Sequence, residues 1–282
     1  MVTTFPVTDM IAVSGYRHAL LVFGIVLGVV GALAALGLRT PSPDEVPAIP
    51  PERLASQARD TAPPEMLRTP LFWLMFSMFA MMSTGGLMVV ANFATFAREF
   101  GVADALVFGM AALPFALTFD RITNGLTRPF FGWVFDRIGR ENTMAIAFVL
   151  EALAIGVLLL FRENAYAFAL LSGAVFFAWG EIFSLFPSTL TDTFGTKHAT
   201  TNYGFLYMAQ GVGSLLGGPV AALIHDSAGS WVPVFCIAIA LDLITATLAW
   251  FVLKPARRAW LGVAEPGMSP LAKTGTARTA AA

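Results

Sequence analysis

The hydrophobic pattern of this chain consists of long apolar runs separated by short polar stretches. Seven of these runs are long enough to cross roughly 30 Å of hydrocarbon as helices that rise about 1.5 Å per residue. They lie near residues 18–38, 71–92, 106–128, 143–161, 165–187, 203–225 and 231–253. The pattern therefore predicts an all-α membrane protein with seven transmembrane helices.

The composition agrees with this class and removes several others. The chain has 282 residues, of which 57% are hydrophobic and 12% charged, and its mean hydropathy is +0.73. The charges are spread between apolar runs and give no basic patch, so we expect the lipid bilayer and not nucleic acid as a partner. One cysteine, Cys236, and three scattered histidines form no disulfide framework and no metal cluster. We expect no cofactor, no metal and no enzymatic activity, since no nucleophile, base and orienting group occur together.

The distribution of Lys and Arg predicts the orientation in the cell membrane. Of the 17 basic residues, only Arg17, Arg98 and Arg162 fall on one side when the loops are alternated, and Arg121 lies within a span. By the positive-inside rule, the N-terminus should be outside and the C-terminus cytoplasmic in this multi-pass protein.

The same pattern divides the chain into four parts. Residues 1–38 contain a mixed N-terminal stretch and the first transmembrane helix, and residues 39–70 form a Pro-rich stretch that predicts an extended cytoplasmic linker. Residues 71–253 hold the other six spans, which should form one six-helix bundle. Residues 254–282 begin with a basic group and predict a flexible cytoplasmic tail.

The third span carries two charged residues, Asp120 and Arg121, near the middle of its helix. An ionised side chain at the bilayer centre costs roughly 2.5 to 3.5 kcal/mol on insertion scales, so such a residue faces protein or water. Three interpretations of Arg121 remain open: it binds an anion, it pairs with an acid on another helix, or it extends to the interface.

Three further acidic residues lie within predicted spans. Glu151 is in the fourth, Glu181 in the fifth and Asp242 in the seventh. Asp120, Glu181 and Asp242 are candidates for carrying a proton or for an ion pair, and packing against Ser, Thr or Arg is the alternative. For Glu151 the packing role is favoured.

Two spans carry aromatic and polar residues at helical spacing. The fifth reads FFAWGEIFSLFP, which places Trp179 and Phe183 on one face. The sixth places Tyr203, Tyr207 and Gln210 on one stripe, which also includes Ser214. Lipid would not favour such a face, so we expect it to point inward, toward either packing partners or a binding cavity.

A short stretch after the third span has the spacing G-x-x-x-D-R-x-G-R. It comprises Gly132, Asp136, Arg137, Gly139 and Arg140. The glycines permit a tight reversal, and Asp136 can accept hydrogen bonds from free amides at a helix N-terminus. We expect a short cytoplasmic loop from Gly132 to Arg140.

This loop resembles the conserved loop of the major facilitator superfamily, where it acts in conformational change. The longer strings DRITNGLTRPFFGWVFDRIGREN, FFAWGEIFSLFP and TNYGFLYMAQG resemble the oxalate/formate antiporter family within it. The resemblance implies that the seven spans correspond to helices six to twelve of a twelve-helix carrier, with the last six forming one half of the bundle. It also implies transport of a small carboxylate anion by a site that comprises Arg121, Trp179, Phe183, Tyr207 and Gln210.

Two departures from the family modify this expectation. The first five helices are absent, so transport should need a separate N-terminal half or be impaired. Gln210 stands where the oxalate carrier of the family has a lysine. A dianion would lose a charge-assisted contact worth about 1.5 to 3 kcal/mol, so a monocarboxylate fits better. The alternatives are a non-transporting remnant or half-carrier subunit and, more remotely, a seven-helix receptor.

Overall fold

The computed structural model describes residues 4–39, 42 and 60–262, and the structural statements below concern those residues. Most of the predicted Pro-rich linker over residues 39–70 and most of the tail over residues 254–282 lie outside them. The first helix, α1, covers Thr4–Leu36 and is interrupted at Gly15, which has a φ of 78°. The helix therefore begins well before the predicted start at residue 18, because a glycine at positive φ lets the mixed N-terminal residues join it.

The rest of the described chain is helical apart from one small hairpin. In chain order the elements are α2 (Pro63–Met66), α3 (Pro70–Val90), α4 (Phe93–Glu99), strands β1 (Leu106–Val107) and β2 (Met110–Ala111), α5 (Ala112–Ile138), α6 (Arg140–Leu160), α7 (Ala165–Trp179), α8 (Ile182–Phe194), α9 (Ala199–Leu215), α10 (Ala221–Ala228), α11 (Val232–Leu248) and α12 (Lys254–Leu261). One π-helical turn, Leu216–Val220, joins α9 to α10, and another, Ala249–Leu253, joins α11 to α12.

Two predicted boundaries are wrong. The third span begins at Ala112 and not at residue 106, because Leu106 and Val107 pair with Met110 and Ala111 in an antiparallel hairpin. The predicted flexible tail begins with a helix, α12. Its first turns are held by the bundle, since Arg257 donates to Thr193 over 2.8 Å and Trp260 donates to the Thr193 carbonyl over 3.0 Å.

Six of the helical stretches in the described ranges are long and apolar enough to cross a membrane. They are Asp9–Leu36, Pro70–Val90, Arg140–Leu160, Ala165–Phe194, Ala199–Ala228 and Val232–Leu261. The helix α5 is long enough at 27 residues, but its charged residues make it less apolar. The all-α membrane fold is confirmed, whereas the count of seven spans stays a prediction.

The bundle is built from five helix pairs in close contact: α5 with α7, α6 with α7, α6 with α11, α3 with α9 and α3 with α11. Glycines permit the approach of α9 to α3, because a Cβ at Gly213 or Gly217 would overlap Ser83 or Leu87. In contrast, Cβ atoms at the glycines of α1 would meet open space. The bundle is therefore formed by the helices after residue 69, with α1 at its margin.

The interior contains two separate groups of buried apolar side chains. The first apolar cluster includes Phe72, Phe79, Met82, Phe148, Ile182, Phe186 and Ala246. The second apolar cluster includes Met88, Phe93, Ile155, Phe168, Phe176, Phe235 and Ala238. Because α3, α6, α7–α8 and α11 each contribute to both clusters, the clusters lie one after the other along the bundle.

The break between α7 and α8 is fastened to α5. Thr127 donates a short hydrogen bond to the Phe177 carbonyl, and Asn124 donates to the Phe176 carbonyl over 3.4 Å. A Cβ at Gly180 would lie 2.6 Å from both Asn124 Nδ2 and Thr127 Cγ2. Thr127 thus satisfies the carbonyl that the break frees, and Asn124 is a second donor to the Phe176 carbonyl, which also accepts from the Gly180 N–H over 3.1 Å. Only glycine leaves the two side chains room.

We predict that Gly180→Ala destabilises the bundle by about 1 to 3 kcal/mol, because the added methyl group overpacks this contact. The measurement is the free energy of unfolding of the purified chain in detergent. The control is Gly156→Ala in α6, where a Cβ meets Ile239 Cδ1 at an ordinary 3.8 Å. Equal stability of the two variants would contradict the prediction.

Candidate functional site

The predicted aromatic face is assembled by three helices. Trp179 ends α7 and Phe183 begins α8, and their ring centroids are 5.4 Å apart at an interplanar angle of 88°. Tyr207 of α9 lies 6.2 Å from Phe183, and Tyr203 lies 5.4 Å from Tyr207. The structure therefore brings together three of the five residues predicted to bind substrate, in edge-to-face and tilted contacts typical of aromatic clusters.

The helix α3 forms the floor of this aromatic group. Phe79 lies 6.3 Å from Phe183 and 6.1 Å from Tyr207. Gly86 lies directly under the Trp179 indole, and a Cβ there would overlap the ring. Gly86 thus has a packing role, because it leaves room for Trp179, the largest side chain of the site.

An arginine that the sequence analysis assigned to the cytoplasmic side lies beside the aromatic group. The Arg128 guanidinium is 5.9 Å from the Phe183 ring centroid, at the outer limit of a cation–π contact. Arg121 and Arg128 are seven residues apart on α5, which places them on one helix face about 10.5 Å apart along the axis. Both side chains are exposed. The structure therefore adds a second cation to this face.

The alternative of an intramembrane ion pair for Arg121 is not supported. Over residues 60–262, no acidic side chain lies within ion-pair distance of Arg121. Its neighbour Asp120 points into the bundle, where it is 1% exposed and accepts a hydrogen bond from Ser172 of α7 over 3.1 Å. The two charges on α5 thus have different environments.

Gln210 and Ser214 complete the predicted stripe on α9 without joining the aromatic contacts. The Gln210 Oε1 atom is buried and has no hydrogen-bond partner within the described chain. Ser214 donates to the Gln210 backbone carbonyl over 2.9 Å and is exposed. The Gln210 amide therefore has an unused acceptor.

Three other acids within the bundle are buried without hydrogen-bond partners in the described ranges. Glu151, Glu181 and Asp242 are each 0% exposed, and none of their carboxyl oxygens has a hydrogen-bond partner in the described ranges. For Glu151 the favoured packing role stays a prediction, since the side chain is fully buried but no Ser, Thr or Arg of the described ranges hydrogen-bonds to it. Glu181 stands between Trp179 and Phe183 in the chain, at the break between α7 and α8.

An apolar groove lies elsewhere on the bundle. It measures about 480 Å³ and is lined by α5, α6 and α7 residues such as Phe119, Leu153, Leu170 and Phe177, with Thr123 among them. None of the predicted substrate-binding residues lines it. A groove of this kind has no charged group that could bind a small anion. The candidate anion site is therefore the arginine face, which is the face of α5 that carries Arg121 and Arg128.

The predicted loop from Gly132 to Arg140 is almost entirely helical, which corrects the sequence expectation. The helix α5 runs to Ile138, and the reversal is confined to Gly139, with φ 86° and ψ 160°. A single glycine is sufficient because only glycine adopts this backbone region without strain. Gly132 and Asp136 therefore belong to the end of a helix.

The basic residues of this motif are anchored at the end of the bundle. Arg137 stacks 3.8 Å above the Trp133 ring, and Arg140 forms a short ion pair with Asp192 of α8. The adjacent Glu141 accepts from Arg257 of α12 over 2.5 Å. The motif thus ties α5, α6, α8 and α12 together.

Taken together, membrane-length helices, a buried polar interior and an arginine face beside aromatic rings define a polytopic membrane protein of the carrier class. Residues 115–281 match the family model of the Major Facilitator Superfamily. The chain belongs to this superfamily. Membership confirms that the chain is a transporter-family protein and not an enzyme, and it removes the seven-helix receptor alternative.

Two relatives locate the chain within the superfamily. The oxalate:formate antiporter of Oxalobacter formigenes is 33% identical over 251 residues, which is 88% of this chain and 57% of that protein. An uncharacterised MFS-type transporter of Escherichia coli is 28% identical over 151 residues, covering 54% of this chain and 36% of its own length. The chain thus spans little more than half of the antiporter, and the predicted resemblance to the oxalate/formate antiporter family is confirmed.

We predict that Glu141→Gln and Arg257→Gln each destabilise the bundle by about 3 kcal/mol, because each removes the nearest partner of a desolvated charge. The two side chains are only 13% and 11% exposed. After Glu141→Gln, Arg257 keeps only the longer ion-pair contact of 3.8 Å to Asp192. The double variant should cost less than the sum of the single variants. Free energies of unfolding in detergent for all four proteins test this cycle, and strict additivity would show that the pair is not coupled.

Proposed function

We propose that this chain forms part of a carrier that moves a small organic carboxylate across the cell membrane. The observation that supports it is the α5 face with Arg121 and Arg128, the latter beside Phe183, whose ring in turn contacts Tyr207. A guanidinium binds a carboxylate through two parallel hydrogen bonds, and aromatic rings can close around the rest of a small substrate. In this proposal Arg121 supplies charge, Tyr207 and Gln210 supply hydrogen bonds, and Trp179 and Phe183 form apolar walls.

The second arginine changes the expected substrate charge. With Arg121 as the single cation, a monocarboxylate is favoured, since Gln210 stands where the oxalate carrier of the family has a lysine. Arg128 lies on the same face of the same helix and has no ion-pair partner within residues 60–262. A dicarboxylate can therefore find two cations here, and we include dicarboxylates in the proposed substrate class.

The relatives support the class of substrate and leave the arrangement of the carrier to be tested. One relative is an oxalate:formate antiporter, which exchanges two carboxylates, and exchange is the mode proposed here. The proposal includes a second unit that supplies the other wall of the site, as either a separate N-terminal half or preceding chain. The non-transporting remnant is the second candidate. The proposed orientation has the N-terminus outside and the C-terminus cytoplasmic, as the positive-inside rule requires.

The test is a thermal-shift titration of the purified chain with formate, oxalate and longer mono- and dicarboxylates. It is run with and without a co-expressed N-terminal half. Binding at a ligand concentration of 100 times Kd stabilises the folded state by about 2.7 kcal/mol. The absence of a shift for every carboxylate under both conditions would leave the remnant alternative.

We predict that Arg121→Gln abolishes this stabilisation for every carboxylate, because the anion loses its charged partner near the middle of the helix. Arg98→Gln is the matched control, since Arg98 is also exposed but lies in the last turn of α4. A carboxylate-induced shift that survives in Arg121→Gln would remove Arg121 from the binding role.

We predict that Arg128→Gln weakens oxalate binding more than formate binding. The lost charge-assisted contact is worth about 1.5 to 3 kcal/mol, which corresponds to a loss of about tenfold or more in affinity for the dianion. The measurement is the ratio of the two dissociation constants from the same titration. Equal losses for both anions would show that Arg128 does not contact a second carboxylate.

A further inference from the structure

Three buried carboxyl groups lie in one layer between the two apolar clusters. On α6, Glu151 falls between Phe148 of the first apolar cluster and Ile155 of the second. Asp242 of α11 lies at the same boundary, between Ala238 of the second cluster and Ala246 of the first. Glu181 lies close to it at the α7–α8 break, five residues after Phe176 of the second cluster and next to Ile182 of the first. Glu181 also lies in the middle of the continuous span Ala165–Phe194. The layer is therefore at the depth where a bare charge is most costly.

The helix α3 closes this layer without supplying a charge. Asp242 Oδ1 lies only 2.9 Å from the position of a Cβ at Gly85, so a glycine is needed to admit the carboxyl group. The sequence of α3 contains no titratable residue. The next residue, Gly86, lies against the Trp179 indole, whose Nε1 is buried and has no hydrogen-bond partner in residues 60–262.

No basic side chain balances the three acids. Over the described ranges, no Lys, Arg or His lies within ion-pair distance of Glu151, Glu181 or Asp242. On the helices packed around these acids, the other titratable groups include aromatic hydroxyls, one thiol, the charged residues of α5 and charged residues that pair at the bundle end: Tyr166, Tyr203, Tyr207, Cys236, Asp120, Arg121, Arg128, Arg140, Glu141 and Asp192. The cluster therefore has no fixed counter-charge.

We propose that Glu151, Glu181 and Asp242 form a proton-binding site in the middle of the bundle. Each proton taken up from water converts one carboxylate to a neutral carboxylic acid, and its release restores the negative charge. Carboxylic acids can donate hydrogen bonds to each other, whereas three bare carboxylates can only repel. Because such groups interact strongly, protons bind to the cluster as a set and not to one residue in isolation.

The position of Glu181 connects this site to the aromatic walls. It lies two residues from both Trp179 and Phe183, at the break where α7 ends and α8 begins. A change of charge on Glu181 therefore acts on the segment that positions both rings. The proton-binding site stands independently of the carboxylate proposal, whereas its effect on carboxylate binding rests on that proposed function.

The experiment is infrared difference spectroscopy of the chain reconstituted in lipid, titrated with acid and base. It detects the C=O stretching band of protonated carboxyl groups, which shifts in heavy water. We expect this band near neutral pH in the wild type, with a reduced amplitude in Glu151→Gln, Glu181→Gln and Asp242→Asn. Glu163→Gln is the control and should leave the band unchanged, since the Glu163 side chain is 81% exposed.

Two results would overturn the proposal: no protonated-carboxyl band near neutral pH, or a band that all three substitutions leave unchanged. The second result would assign the band to another buried acid such as Asp120. If Glu181→Gln does not fold, Glu181→Asp serves in its place, because it keeps a carboxyl group but moves the frequency of its band. An unmoved band in that variant counts against the proposal.

A second measurement separates this site from the carboxylate proposal. The pH dependence of tryptophan emission is compared in the wild type, in Trp179→Phe and in Glu181→Gln, without any carboxylate. We expect a Trp179 component that changes with pH and disappears in both variants. If the wild type has the infrared band but no pH-dependent Trp179 emission, or if that pH dependence persists in Glu181→Gln, proton binding is retained and its link to the aromatic walls is rejected, whatever the outcome of the carboxylate titration.

Discussion

The structure depends on the cost of placing polar groups where water is absent. In a bilayer, each backbone or side-chain polar group must find a partner within the protein or face a water-filled space. The bundle meets this requirement in part at Asp120, whose Oδ1 accepts a hydrogen bond from Ser172 while its Oδ2 has no partner within the described chain. At Glu151, Glu181 and Asp242 the requirement is not met, because their carboxyl oxygens have no hydrogen-bond partner in the described ranges. Groups that remain without partners in an interior of this kind are the ones whose presence calls for a function.

The same requirement explains why the helix carrying the arginines is rigidly linked to the aromatic walls. The break after Trp179 frees the Phe177 carbonyl in the middle of the span, and Thr127 of α5 donates to it, while Asn124 donates to the neighbouring Phe176 carbonyl. Those donors lie between Arg121 and Arg128 along the helix. A displacement of α5 would therefore break hydrogen bonds next to the aromatic pair, so these two contacts couple the cationic face to the apolar walls.

The membrane fold could be predicted because apolar runs of membrane length have few other solutions, and the long strings around Arg121, Trp179 and Tyr207 carried the resemblance. The failures have local causes. The hairpin before α5 uses ordinary apolar residues, and α12 continues through a π-helical turn that leaves no mark in the sequence. The role of Arg128 was missed because positive residues near a span end usually mark the cytoplasm. Its seven-residue spacing from Arg121 was the available indication. The shared layer of three acids on separate helices could not be predicted without the packing.

The two charge features have opposite signs, and this sets the direction of any coupling between them. A bound carboxylate on the arginine face and bare carboxylates in the neighbouring layer repel each other, since the low dielectric of the interior screens them weakly. Protons on the acidic layer remove that repulsion. Linkage is reciprocal. If the anion binds more tightly to the protonated bundle, anion binding must also raise the affinity of the acidic layer for protons. In the proposed exchange of two anions, the layer therefore has to keep its protons throughout the cycle; release of the protons together with the anion would instead move both in the same direction.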